Sequence, residues 1–144
     1  MKPGLAHVAL AVADLEAACA QFALLFGVQA GPPLRNEAQG VRLAIIDLGN
    51  AKIELISPTD PQSPVGRFLQ KHPRGGLHHF CLEVDDVQQA VARIEAAGGS
   101  VPAGLGTNVH GAPIAFVHPA SACGALIELE PAAGHGQIAA TSGK

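Results

Sequence analysis

The sequence has no tryptophan and no tyrosine, and only five of its 144 residues are phenylalanine. Charged residues make up 15% of the chain, the formal net charge is −3, and no run of lysine or arginine occurs. Binding of phosphate backbones needs clustered positive charge, and binding of single strands uses aromatic rings on which bases stack. These absences argue against a nucleic acid as partner.

Long apolar runs and paired cysteine motifs are also missing. The uncharged stretch at 4–13 ends at Asp14 and is too short for a bilayer, which takes about 20 apolar residues. With no membrane partner and no signal-peptide layout, the cytoplasm is the expected location. Cys19, Cys81 and Cys123 show no CxxC spacing, which predicts reduced, buried thiols rather than a disulfide framework.

Hydrophobic residues make up 48% of the chain, enough for a substantial core. A chain of this size buries roughly 68–70% of its unfolded surface, so folding requires neither a disulfide nor a structural metal. We therefore predict one domain over residues 1–131, followed by a small, polar and flexible tail at 132–144.

The chain repeats itself. Segment 6–22 (AHVALAVADLEAACAQF) aligns with segment 78–94 (HHFCLEVDDVQQAVARI) at a shift of 72 residues, which places His7 on His79 and Asp14 on Asp86. Further on, KIEL resembles LIEL, which places Glu54 on Glu128. Since the matches include chemically distinctive residues in the same order, we predict two halves with one plan, at about 5–58 and 77–131, joined by a connector at 59–76.

Each half is predicted to have the order β-α-β-β-β, which makes an α+β domain. Residues 7–12 alternate between two faces as in a strand, and Asp14 and Asp86 are suited to cap the helices that follow. Gly31–Gly40 is predicted to be a loop, and glycines follow both helices. The predicted helices are Leu15–Phe26, Pro64–Lys71 and Val87–Ala97, and the further predicted strands are near Gln29, Val41–Leu48, Lys52–Ser57, near Val101, Ile114–His118 and Ala125–Glu130.

The duplicated polar residues predict a metal site. His7 and His79 are each placed as the first residue of a strand, and Glu54 and Glu128 lie in mid-strand, facing away from their apolar neighbours. Two carboxylates balance the charge of a divalent ion, and neutral imidazoles add two nitrogen donors. Such mixed ligands suit Co²⁺, Ni²⁺, Mn²⁺, Fe²⁺ or Zn²⁺ better than Ca²⁺.

These residues resemble the vicinal oxygen chelate superfamily, which includes glyoxalase I and extradiol dioxygenases. Within it, the sequence closely resembles the methylmalonyl-CoA epimerase family from about residue 5 to 131. The resemblance implies a curved, cup-shaped mixed sheet built from two βαβββ modules. It is carried by the stretches HVALAVADLEAA, QGVRLAIIDLGNAKIELISP, SPVGRFLQKHPRGGLHHFCLEVDDV, HGAPIAFVHP and GALIELEP.

The resemblance implies an isomerase that interconverts (R)- and (S)-methylmalonyl-CoA, a CoA thioester, by removing the C2 proton and stabilising the enolate. It implies metal ligation by His7, Glu54, His79 and Glu128, with Co²⁺ as the first choice. Epimerisation needs an acid and a base on opposite faces of C2, and we assign these roles to Glu128 and Glu54. The paired halves also suggest a homodimer.

One position departs from the pattern of some relatives, which have a glutamate as second base where this chain has Leu43. Glu54, Glu37 from the preceding loop, or a water on the metal are the remaining choices. His118 is a candidate for substrate binding, and His78 is expected to point away from the face of His79 and to be structural.

Two other functions fit the same residues. A lactoylglutathione lyase would use the four ligands on a glutathione hemithioacetal, and a metal-free protein of this fold would bind a small ligand without chemistry. An extradiol dioxygenase fits less well, because its iron site takes two histidines and one carboxylate.

Overall fold

The computed structural model describes residues 3–132, which form eight strands and three α-helices. The predicted tail at 132–144 lies outside the described residues except for Ala132. The elements follow the predicted order: β1 (Gly4–Ala11), α1 (Leu15–Phe26), β2 (Leu34–Asn36), β3 (Val41–Asp47), β4 (Lys52–Pro58), α2 (Pro64–Lys71), β5 (Gly76–Val84), α3 (Val87–Ala96), β6 (Leu105–Thr107), β7 (Pro113–Val117), the short 3₁₀ helix η1 (Pro119–Ser121) and β8 (Ile127–Pro131).

The chain divides into two compact units, which do not coincide with the two halves of the repeat. The N-terminal unit is His7–His79, and the C-terminal unit combines Met1–Ala6 with Phe80–Lys144. The divisions fall inside β1 and β5, so each of these strands contributes residues to both units. His7 and His79 therefore belong to the same unit, although they come from different halves of the repeat.

The N-terminal unit has the strand order β2-β3-β4-β1, in which β1 and β4 are parallel and the other pairs are antiparallel. Alternate residues of β1, β3 and β4 point towards α1 because side chains in a strand alternate between its two faces. They form a core with helix residue Leu15, consisting of Leu15, Ala44, Ile46 and Leu55. The opposite face of the same strands presents His7 and Glu54.

The C-terminal unit repeats this arrangement with the order β5-β8-β7-β6. Here β5 and β8 are parallel, and β7 pairs antiparallel with both β8 and β6. Its core lies against α3 and consists of Val87, Val101, Ala115, Val117 and Leu129. The duplicated βαβββ plan and the α+β class predicted from the sequence are thus confirmed.

The predicted helix starts are confirmed by their caps. Asp14 Oδ1 accepts a hydrogen bond from the Ala17 amide at 3.0 Å, and Asp86 Oδ1 accepts one from the Gln89 amide at 3.0 Å. Each bond satisfies an amide that the first helical turn leaves without a partner. Gly27 ends α1 in the left-handed conformation, with φ of 66°, as a glycine at this position predicts.

Two short strands were predicted in the wrong places. The strands expected near Gln29 and Val101 are absent from the structure, apart from an isolated bridge at Ala30. Instead, β2 lies inside the predicted loop at 31–40, and β6 begins at Leu105. A strand of three residues has no readable period, so only its neighbour in the sheet determines where it forms. Val101 is nevertheless buried in the core.

The prediction that His7 and His79 begin their strands is wrong. They are the fourth residues of β1 and β5. Both strands begin at a glycine, a residue that strand propensity disfavours. The thiols also differ from prediction in part. Cys81 is buried and Cys19 is partly buried, but Cys123 is exposed in a turn, with φ of 57°. Between residues 3 and 132, no helix is long and apolar enough to span a bilayer.

Candidate active site

Four small or polar side chains of the N-terminal unit share the face turned away from α1. His7, Ala9 and Ala11 alternate along β1, and all three are buried. Glu54 lies on the neighbouring strand β4, where Ala9 is its register partner. Because the two alanines have minimal side chains, they leave space above the strand for groups that reach across it.

Glu54 is in direct contact with His7. The Glu54 Oε2 atom lies 3.2 Å from Nδ1 of His7, whose side chain is 3% exposed, whereas that of Glu54 is 19% exposed. An Nδ1–H group of His7 can donate to this carboxylate and is oriented by it. The carboxylate also places a negative charge beside a buried imidazole, which favours any cation that binds there.

The two predicted histidines also meet. Nε2 of His7 lies 3.4 Å from Nε2 of His79, and the rings form an edge-to-face pair with centroids 5.5 Å apart. Two lone pairs at this distance repel each other, and so do two N–H groups. One proton or one cation between the nitrogens satisfies both, so the donor set fits a metal ion that prefers nitrogen ligands.

Glu128 is buried in the C-terminal unit, 5% exposed, with Cys81 of β5 and Phe116 of β7 as its register partners. The register reproduces that of Glu54. The partner of Glu54 is Ala9, two residues after His7, and the partner of Glu128 is Cys81, two residues after His79. Each repeat therefore places its glutamate at the same strand position relative to its histidine.

The other sequence candidates lie elsewhere. Leu43 is buried and shares the face of Glu54, since Ile45 is the partner of Glu54 and lies two residues further along β3. Glu37 is 74% exposed and pairs with Arg35 at 2.7 Å. His118 is exposed and accepts a hydrogen bond from the Ala120 amide through Nδ1, which caps η1.

The contact of His78 with His79 was missed by the sequence analysis. The sequence places His78 on the face opposite that of His79, as a structural residue, but the Nδ1 atoms of the two rings lie 2.8 Å apart. Alternation along the strand suggested opposite faces, yet Nδ1 is close to the backbone and can reach along the strand. The sequence feature that could have indicated this contact is the pair of adjacent histidines.

A second polar feature lies on the α1 side of the N-terminal unit. It is an open groove of about 500 Å³ lined in part by Asp14, Arg35 and Arg42. Arg42 donates two hydrogen bonds to the Glu16 carboxylate, at 2.7 and 3.1 Å. These bonds lower the pKa of Glu16 and raise that of Arg42, so the Arg42 guanidinium is already paired with a carboxylate.

Comparisons with known proteins show the family of the chain. Residues 6–116 match the model of the Glyoxalase/Bleomycin resistance protein/Dioxygenase superfamily. The ethylmalonyl-CoA/methylmalonyl-CoA epimerase of Cereibacter sphaeroides is 45% identical over 129 residues, which cover 86% of this chain and 94% of that protein.

Solved structures are similar over nearly the whole chain. Methylmalonyl-CoA epimerase from Mycobacterium tuberculosis has a TM-score of 0.83 and 32% identity, covering 95% of this chain and 91% of that one. A methylmalonyl-CoA epimerase in complex with methylmalonyl-CoA and NH4+ has a TM-score of 0.84 and 30% identity, covering 93% and 97%. From its sequence match and its fold together, this chain belongs to the glyoxalase, bleomycin resistance protein and dioxygenase superfamily.

Proposed function

We infer that the protein is an epimerase that interconverts (R)- and (S)-methylmalonyl-CoA. The observation that carries this function is the buried His7–His79 pair, with Glu54 on His7, in a chain that is 45% identical to an ethylmalonyl-CoA/methylmalonyl-CoA epimerase. The similar structure that contains methylmalonyl-CoA supports a CoA thioester as the substrate.

We propose that His7, Glu54, His79 and Glu128 hold one divalent cation. The nitrogen pair and the carboxylate of Glu54 support this set directly, since they are neighbours in one unit. Glu128 is included because its register relative to His79 repeats that of Glu54 relative to His7. Co²⁺ remains the first choice, and Ni²⁺, Mn²⁺ and Zn²⁺ share the same ligand preferences.

The reaction requires removal of a weakly acidic proton. The C2 proton lies between a thioester and a carboxylate, and a bound divalent cation would act as a Lewis acid that stabilises the negative charge of the enolate. The buried carboxylate of Glu128 accepts the proton from one face of C2.

Glu54 is the best candidate for the opposite proton transfer. Leu43 cannot carry a proton, and the Glu37 carboxylate is exposed and paired with Arg35. The Glu54 carboxylate is partly accessible and lies 3.2 Å from His7 Nδ1. His118 as a substrate contact, the homodimer and the cytoplasmic location stay predictions.

Loss of the C2 deuteron from deuterated methylmalonyl-CoA, followed by NMR, tests this function. We expect rapid loss with the wild-type enzyme, which stops on addition of a chelator and returns with Co²⁺. Glu128→Gln should slow the loss by roughly 10²–10⁴-fold, the usual contribution of a general base. Glu95→Gln, a change at an exposed residue of α3, serves as the matched control and should exchange at the wild-type rate.

Three results would contradict the proposal. Near-normal exchange by Glu128→Gln would exclude Glu128 as the base. Turnover of the methylglyoxal–glutathione hemithioacetal without any exchange of the CoA thioester would identify a lyase instead. A purified protein that binds no metal and acts on neither substrate would indicate a binding protein of this fold.

A further inference from the structure

The contact between His78 and His79 constrains the protons of both rings. Their Nδ1 atoms lie 2.8 Å apart, and the ring planes are inclined by 78°. Two nitrogens at this distance share one proton, because either two lone pairs or two N–H groups would repel. One histidine therefore donates through Nδ1 and the other accepts there.

The other nitrogen of His79 decides which residue donates. Nε2 of His79 faces Nε2 of His7 at 3.4 Å. A neutral imidazole that binds a cation through Nε2 must carry its own proton on Nδ1. In the metal-binding form, the Nδ1–H group of His79 then donates to Nδ1 of His78, and His78 carries its proton on Nε2.

The same pattern occurs on the other histidine. Nδ1 of His7 is held by the Glu54 carboxylate, while its Nε2 faces His79. Both candidate ligands thus have Nδ1 engaged by a neighbouring side chain and Nε2 directed at the shared position. Such partners fix the tautomer and the orientation of a ligand imidazole.

His78 is itself held in place by the connector helix α2. The Phe68 ring lies edge to face with the His78 ring, with centroids 5.1 Å apart, and it also packs on His72 at 4.5 Å. His78 and Phe68 are both partly buried, whereas His72 is exposed. The aromatic contact restrains the ring of His78 so that its Nδ1 remains directed at His79.

We propose that His78 is a positioning residue that holds His79 in the Nδ1–H tautomer and so prepares Nε2 for the metal. This inference rests on the metal site of the proposed function. It does not depend on the identity of the acyl-CoA substrate. It assigns a role to the first histidine of the GGLHH stretch, which neither the repeat nor the ligand set explains.

Two substitutions separate hydrogen bonding from packing. His78→Phe keeps a ring against Phe68 but removes the nitrogen acceptor. His78→Asn loses the ring but keeps an acceptor, because its amide oxygen occupies nearly the position of Nδ1. His72→Phe is the matched control, since His72 also contacts Phe68 but has no described contact with His79.

The first measurement is the ¹⁵N chemical shifts of the His79 ring in the metal-free protein. We expect the Nδ1–H tautomer in the wild type, in His72→Phe and in His78→Asn, with the proton between the two Nε2 atoms carried by His7. In His78→Phe we expect a mixture of tautomers. The second is Co²⁺ affinity by calorimetry. His78→Phe should bind roughly 10–100-fold more weakly, the usual effect of losing such a partner. His78→Asn should recover most of that loss.

The proposal is wrong if His78→Phe keeps both the single tautomer and the wild-type affinity. It is also wrong if His78→Asn binds Co²⁺ as weakly as His78→Phe does, because restoring the acceptor would then have no effect. Thermal unfolding of each variant shows whether the fold is intact. If the protein failed to turn over methylmalonyl-CoA, the tautomer measurement would still decide the role of His78.

Discussion

Replacing Glu54 by leucine should weaken metal binding while leaving the fold intact. The change removes a carboxylate 3.2 Å from Nδ1 of a histidine that is 3% exposed. A hydrogen bond to a charged group contributes about 1.5–3 kcal/mol. Since each 1.4 kcal/mol is tenfold in affinity, the Co²⁺ affinity should fall by roughly 10–150-fold.

The stability of the metal-free protein should change little, because two effects oppose each other. The lost hydrogen bond destabilises the fold by about 1.5–3 kcal/mol, and burial of a leucine beside Ile45 and Ala9 returns a similar amount, about 1.5–3 kcal/mol. Thermal unfolding without and with Co²⁺ therefore separates the two properties. Only the metal-dependent rise in melting temperature should shrink.

Glu54→Gln is the matched control. Its amide keeps an oxygen that can accept from His7 or bind the ion, so its Co²⁺ affinity should lie between those of the wild type and Glu54→Leu. Calorimetric titration measures all three. Wild-type affinity in Glu54→Leu would refute the assignment of Glu54 to the site, and an unchanged rise in melting temperature on metal addition would do the same.

Two further predictions concern the fold. Leu55→Ala, at a core position with no exposed surface, should lower the free energy of unfolding by about 2–5 kcal/mol, measured by urea titration. Leu24→Ala, where the side chain is 84% exposed, should stay within about 0.5 kcal/mol of wild type, and an equal loss in both would contradict the described core. In thiol labelling of the native protein, exposed Cys123 should react first and buried Cys81 last, and the reverse order would show that their burial is misassigned.

Local sequence signals were sufficient for the elements that depend on neighbouring residues. The bounds of α1 and α2 agree with prediction to the residue, because caps such as Asp14 and Gly27 act within one helical turn. The strands β2 and β6 were not located, since three residues carry no period and pair only where a longer strand is available.

The sequence by itself determined which residues are candidates for the chemistry. A duplicated order of His, Asp and Glu is visible without coordinates, and it selected His7, Glu54, His79 and Glu128. Only the tertiary structure decided how the first three meet: which nitrogen of His7 faces Glu54, which faces His79, and that His78 contacts Nδ1 of its neighbour. The reason is physical: alternation along a strand sets the face of a side chain, whereas the rotation of a ring depends on all the groups packed around it.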